Sequence, residues 1–159
     1  MTYYLNFAAA AALGIVGYSF MIKAPLRSVL PALLVGLVGT ASYVLMDTFG
    51  ASSFISNLVA ALVMSVGSHV VAVIMKAPEN LFLFPSVVIL VPGKFLYLCM
   101  NNIIMGNYAE SWKCAMETMK IAAGIVDGLI CGMIAISIYK RIREIIVKPK
   151  KKKHKPAEN

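Results

Sequence analysis

Two ionisable residues stand inside long apolar stretches: Lys94 in "FPSVVILVPGKFLYL" (Phe84 to Leu98) and Asp127 in "KIAAGIVDGLICGMIA" (Lys120 to Ala135). A lysine ammonium can hold a carboxylate, and an aspartate can meet an ammonium group or take up a proton. An unpaired charge at mid-bilayer costs about 2.5–3.5 kcal/mol, so two isolated ones would be hard to tolerate. Lys94 and Asp127 therefore neutralise each other or face a watery cavity. Two roles follow, a structural ion pair serving assembly or a substrate or proton site. Pro92 and Gly93 sharpen the question, because Pro92 cannot donate to the carbonyl of Val88 and Gly93 loosens the same turn. A helix interrupted there turns the first amides of its second half, and the positive end of its dipole, toward the space that the break opens. Discontinuous helices of this kind hold small charged substrates in many secondary transporters.

Other polar residues join the candidate path. Asn101 and Asn102 follow the break by about two helical turns, so at least one turns inward, as polar glue between helices or as a substrate contact. His69 lies in an apolar helix, where it serves in hydrogen-bonded packing or in proton relay. No phosphate loop, no H-E-x-x-H and no serine, histidine and acid set in a recognisable context occurs, so no catalytic residue is assigned and ATP-driven transport by this chain alone is excluded. The three cysteines have no metal-ligand spacing, and neither a metal nor a cofactor is expected.

The elements that position these residues follow from composition. Of 159 residues 60% are hydrophobic, and the mean hydropathy is +0.80; a solvated surface would lack polar residues to cover it. The class is an all-α integral membrane protein, since lipid cannot hydrogen-bond an open backbone. Five apolar spans are expected, at about Tyr3 to Ile22, Ser28 to Met46, Ser53 to Met75, Leu81 to Met105 and Met119 to Tyr139. The fourth is kinked or broken at Pro92-Gly93. The first lacks the basic start of a signal peptide and reads as a retained span. The stretch "GNYAESWKCAMETMK" between the last two spans reads as an interfacial helix with an aromatic anchor.

Residues 1–139 thus form a five-helix transmembrane domain and residues 140–159 a basic tail. Nine of the fifteen Lys/Arg lie from Lys140 to Lys155, which places the tail in the cytoplasm and, with five spans, the N-terminus outside. Lys23, Arg27 and Lys76 then fall inside and Asp47 outside. A basic run directly after a span is an orientation anchor that can touch anionic membrane lipid, not a nucleic-acid site. "MIKAP" (Met21 to Pro25) and "IMKAP" (Ile74 to Pro78) read either as a faint repeat of helical hairpins or as two similar helix ends at a basic interface.

Helices in lipid associate through small residues or polar contacts. Gly124, Gly128 and Gly132 form the strongest such row; Gly36 belongs to a weaker one with Ala32 and Thr40, and Ser65 to another with Ala61, Ser68 and Ala72. Asp127 adjoins the glycine row and is expected to face helices rather than lipid. So many packing faces point to a homo- or hetero-oligomer.

The order "APLRSVLPALLVGLVGTASY", "MKAPENLFLFPSVVILVPG", "LYLCMNNIIMGNYAESW" and a Gly-rich last helix resembles the threonine/serine exporter family, over about Gly14 to Met133. The likeness is to its C-terminal half, which also occurs as a small subunit beside a larger one, as in the two-component succinate exporter. It implies export of a small amino acid or dicarboxylate across the cytoplasmic membrane, driven by the proton gradient, in complex with a larger membrane subunit. Neither Lys94 nor Asp127 is carried over from the family pattern, so the resemblance assigns them no role.

Overall fold

A computed structural model describes residues 2–147, with side chains placed for residues 9–143. Its helices are α1 (Thr2–Met21), α2 (Leu26–Thr48), α3 (Ser53–Met75), α4 (Asn80–Val87), α5 (Gly93–Ile104) and α6 (Tyr108–Val147), with a single 3-10 turn at Val88–Leu90 between α4 and α5. Most of the basic tail, from residue 148 on, lies outside the described residues.

Among the described residues three helices are long and apolar enough to cross a membrane, α2, α3 and α6, and α4 with α5 makes a fourth if the bent pair counts as one span. In α1 the searched part, Ala9–Met21, is a shorter apolar helix. Leu13, Phe20, Leu30, Leu34, Val38, Val70, Val73 and Ile74 point outward, the inverse of a water-soluble surface and the natural exterior for a helix in lipid.

The two Lys-Ala-Pro turns share a physical cause. Lys23 and Lys76 both adopt left-handed backbone, at φ 53° and 51°. In each turn the next alanine amide reaches back to a carbonyl of the last helical turn, Ala24 to Ser19 at 3.0 Å and Ala77 to Ala72 at 3.1 Å. This satisfies a carbonyl orphaned by the helix end, and the following proline forbids continuation.

Helix α3 is the axis of the bundle. A Cβ on Gly124 would lie 2.5 Å from the Phe54 carbonyl oxygen, one on Gly128 would strike the Leu58 carbonyl, and one on Gly132 would lie 2.5 Å from Ser65 Oγ. A Cβ on Gly132 would also lie 3.5 Å from the Leu62 carbonyl oxygen, so steps of four along α6 match Phe54, Leu58 and Leu62 along α3, and the two helices run parallel with backbones in close approach. Helix α2 runs antiparallel to α3, with Gly39 against Met64 and Gly67 against Val35. Val35, Ala60, Ala61, Met64, Leu90, Ile121 and Ile125 fill the space where α2, α3, the 3-10 turn and α6 meet. Ile15, Ala32, Ala72 and Phe82 form a second cluster that holds α1 and α4.

Several polar side chains inside the bundle are spent on their own helices, while the buried hydroxyls of Ser56, Ser65 and Ser68 have no hydrogen-bond partner among the described residues. Ser19 donates to the Ile15 carbonyl at 2.7 Å, and Thr40 to that of Gly36 at 2.8 Å. The Ser86 hydroxyl lies 2.7 Å from the Phe82 carbonyl and 3.1 Å from that of Ala32, tying α4 to α2.

These directions gather Lys23, Arg27, Lys76, Lys140, Arg141 and Arg143 at one end of the bundle. At the other end stand Asp47, Lys113 paired with Glu110 at 2.6 Å, and Lys120 paired with Glu117 at 2.7 Å. The expected interfacial segment and fifth span are one continuous helix of 40 residues. Nothing between Tyr108 and Tyr139 is a proline, and Ala115, Met116, Glu117 and Met119 favour helix, so the chain has no reason to stop at the interface. Cys114 therefore lies within α6.

Candidate substrate cavity at the helix break

The break is local and has a covalent origin. Val91, preceding proline, is driven to extended backbone (ψ 128°), which ends the 3-10 turn. Pro92 caps α5 and its carbonyl accepts from Leu96 at 3.1 Å. The helix pair bends by 43°. Gly93 starts α5 with open space around its Cβ position, so the bend rests on the proline and not on the glycine's small size.

Beside the break lies a cavity of about 380 Å³, lined by Thr40, Tyr43, Val44 and Asp47 of α2, Ser53 and Asn57 of α3, Ile89 to Phe95 around the break, and Ile121 of α6. Such a volume falls in the range of small-ligand sites, about 300–1,000 Å³. It occupies the half of the bundle toward the α2–α3 turn, since its walls come from the C-terminal part of α2 and the first turns of α3. Pro92, Gly93 and Lys94 line it together. The Gly93 amide donates to the Val91 carbonyl at 2.8 Å, whereas the amides of Lys94 and Phe95 lack intrahelical acceptors, as at any helix start, so cation and amides border the same space.

Charge and polarity are distributed unevenly along it. Lys94 and Asp47 are exposed. Thr40 and Asn57, at 4% and 3% exposure, are buried. From Asp47 to Thr40 is seven residues of one helix, or about 10 Å of depth. Asn57 is held in place by its Nδ2, which donates to the Ser53 carbonyl at 2.7 Å.

Asp127 is elsewhere. It is exposed on the outer surface of α6, is not among the cavity residues, and makes no ion pair with Lys94 among the described residues. The expectation that it faces neighbouring helices fails because α6 offers its glycines to α3. The residue beside a packed ridge is turned by about 100° from it, and here that rotation leads away from the bundle. His69 also lies away from the cavity, where its Nδ1 is 2.9 Å from Glu79 Oε2, a link between α3 and the start of α4. Asn101 and Asn102 are half-buried on α5, and the Asn102 amide reaches Cys114 Sγ of α6 at 3.9 Å; neither borders the cavity. Gly36 packs on Ile15 and Ile89, and Ser65 on Gly132.

The sequence marks Thr40 only as a packing residue and Asp47 only as an outside charge, and assigns Tyr43 and Asn57 no role. A signal for them exists: Thr40, Tyr43 and Asp47 recur at i, i+3 and i+7, a polar stripe on an otherwise apolar span.

The family model described as "Threonine/Serine exporter, ThrE" matches residues 7–142. No curated protein and no solved structure matches the chain. The match runs from α1 almost to the end of α6 and encloses the broken helix, its cavity and the glycine-packed pair α3 and α6: the chain belongs to the threonine/serine exporter family, a family of transporters rather than enzymes.

Proposed function

We propose that this chain is the small membrane subunit of a secondary exporter for small amino acids, acting with a larger membrane subunit, and that the cavity at the Pro92 break is its substrate site. The carrying observation is that Lys94 and Asp47, opposite in charge and on different helices, line one small cavity. A zwitterion presents a carboxylate and an ammonium group. Lys94 with the first amides of α5 suits the carboxylate, and Asp47 suits the ammonium, the part that sequence reading gave to Asp127.

The chain crosses the cytoplasmic membrane five times, with α1 as the first span, the bent α4–α5 pair as the fourth, and the basic end of the bundle in the cytoplasm. Lys23, Arg27, Lys76 and the Lys140 to Arg143 segment support that orientation. The cavity then opens outward, toward the side of release. A partner subunit is supported by α6, where Asp127 is exposed among the outward apolar residues Val126, Ile130 and Ile134. An acid on a lipid-facing surface is costly unless another chain covers it.

The reading is tested by threonine transport in vesicles containing both subunits. Lys94→Ala and Asp47→Asn should each reduce flux at normal protein levels, with the complex intact. Unchanged flux in both variants removes the cavity from the pathway. A scaffold role predicts the opposite pattern, loss of the complex with no specific loss of flux.

A further inference from the structure

We infer that Cys99 and Cys114 are a paired thiol site, open to oxidation by a small disulfide, whose internal disulfide latches α5 to α6 and so fixes one wall of the cavity at the break. The latch rests on the proposed substrate site and orientation; the pairing of the two thiols does not.

The pairing follows from the hairpin. Helices α5 and α6 are joined by residues 105–107 alone, with Gly106 in left-handed backbone at φ 76°, and two packed helices joined so briefly run antiparallel. Residues equally far from the turn then stand level across the seam. Cys99 lies seven residues before Gly106 and Cys114 eight after it; Asn102 and Ser111 form the next such pair, nearer the turn. The observed contacts cross between the pairs. The Ser111 hydroxyl donates to the Cys99 carbonyl at 3.0 Å and lies 3.3 Å from Cys99 Sγ, while Asn102 Nδ2 is 3.9 Å from Cys114 Sγ. A serine side chain that touches the backbone of the facing helix requires the two backbones to be close at this height. Level thiols on helices so close come within reach of the Cα spacing that a disulfide takes, about 4.4–6.8 Å. Both thiols are free and half-buried.

The surroundings permit thiol chemistry. Cys114 stands between the exposed ion pairs Lys113–Glu110 and Lys120–Glu117, so this part of the hairpin is at a water-bearing end of the bundle. One protein thiolate attacks a small disulfide, RSSR, forming a mixed disulfide and releasing RS⁻; the second attacks the protein sulfur of that mixed disulfide and releases the other RS⁻. The two protons of the protein thiols pass to the released thiolates, so two protein thiols and RSSR give one protein disulfide and two RSH. In the proposed orientation this end faces outward, where disulfides persist.

The consequence reaches the cavity through α5. That helix has no buried residue and packs chiefly on α6, and elements with few buried contacts are the ones that shift most easily. Its first residues, Gly93, Lys94 and Phe95, border the cavity. A covalent tie at Cys99 therefore holds the same short helix that carries the cavity wall. Reduced, α5 can shift on α6 as substrate passes; oxidised, it cannot.

The experiment uses the full chain in complex with its larger subunit, carrying Cys131→Ala so that only two thiols remain in this chain, and oxidised glutathione as the disulfide. The intact mass of the chain should fall by two hydrogens with no covalent dimer, and dithiothreitol should restore it. A further Cys99→Ser substitution should instead give uptake of one glutathione. Uptake of glutathione by the unsubstituted pair, a chain-to-chain crosslink, or no reaction with excess oxidant overturns the pairing. In vesicles, oxidation should lower threonine flux severalfold, dithiothreitol should restore it, and the double variant Cys99→Ser, Cys114→Ser should be indifferent to both reagents. Unchanged flux once the mass has confirmed the disulfide overturns the latch. If Lys94→Ala leaves flux unchanged, the substrate-site reading falls and the latch with it, whereas the mass result still decides the thiol pair.

Discussion

Gly128 of α6 lies directly against the carbonyl oxygen of Leu58 on α3, close enough that a Cβ would collide with that oxygen and come within 2.8 Å of the Ala61 Cβ. The obstacle is backbone, which cannot swing aside as a flexible side chain can. Gly128→Leu should force α3 and α6 apart and destabilise the protein by about 1–3 kcal/mol or more. Gly17→Ala, where nothing lies within 4 Å of the added atom, should be near neutral. Thermal unfolding in detergent compares the two, and equal midpoints would show that the close helix contact does not carry stability.

Removing the proline at the break is the second test. Pro92→Ala restores an amide that can donate to Val88 and frees Val91 from its extended backbone. The 43° bend should then relax toward a continuous helix and the cavity should narrow. Spin labels at the exposed positions Phe84 and Tyr97 report it as a longer, narrower distance distribution. Gly93→Ala should leave the distribution as it is.

Lys94 and Asp47 should matter through charge. Hydrogen bonds to charged groups are worth about 1.5–3 kcal/mol, so Lys94→Met or Asp47→Asn should weaken threonine binding about tenfold to a hundredfold. The two losses should separate by ligand: threonine amide, lacking the carboxylate, should be indifferent to Lys94→Met, and N-acetylthreonine, lacking the ammonium, to Asp47→Asn. Direct binding measurements on the purified complex decide it.

Asp127 gives a prediction of opposite sign in two assays. If a partner chain covers its face, Asp127→Leu should weaken subunit association in a pull-down of the two tagged subunits by roughly thirtyfold or more, since a buried charged contact is worth about 2 kcal/mol or more. The isolated chain should be as stable as before or more so, because the substitution removes an acid from an apolar surface. An unaltered complex would place the partner on another face.

The link between His69 and Glu79 fixes the α3–α4 corner. Its side chains are 15% and 30% exposed, so solvent screening limits its worth to about 1 kcal/mol. A double-mutant cycle with His69→Ala and Glu79→Ala, read by unfolding, should return a coupling of that size. Threonine transport in His69→Ala should persist, since the residue lies away from the cavity; its loss would restore the proton-relay reading.

Much was legible before any coordinates. Apolar spans follow from composition because a helix is the only open-ended chain segment that satisfies its own backbone in lipid. The break at Pro92 follows from a missing amide, and the glycine row announces a close helix contact because glycine has no other use at that spacing. These are covalent or local properties, and a sequence states them. What the sequence could not supply was direction. Asp127 and Gly128 are neighbours in the chain, yet one is outside the bundle and the other against its axis; which way α6 is rotated is set by the surface of α3 that receives the glycines. For the same reason Asp47, which the charge pattern marks only as an outside residue, shares a cavity with Lys94, while Asp127 does not. Helix identity is decided within a few residues. The side that each helix turns inward is decided only when all of them pack.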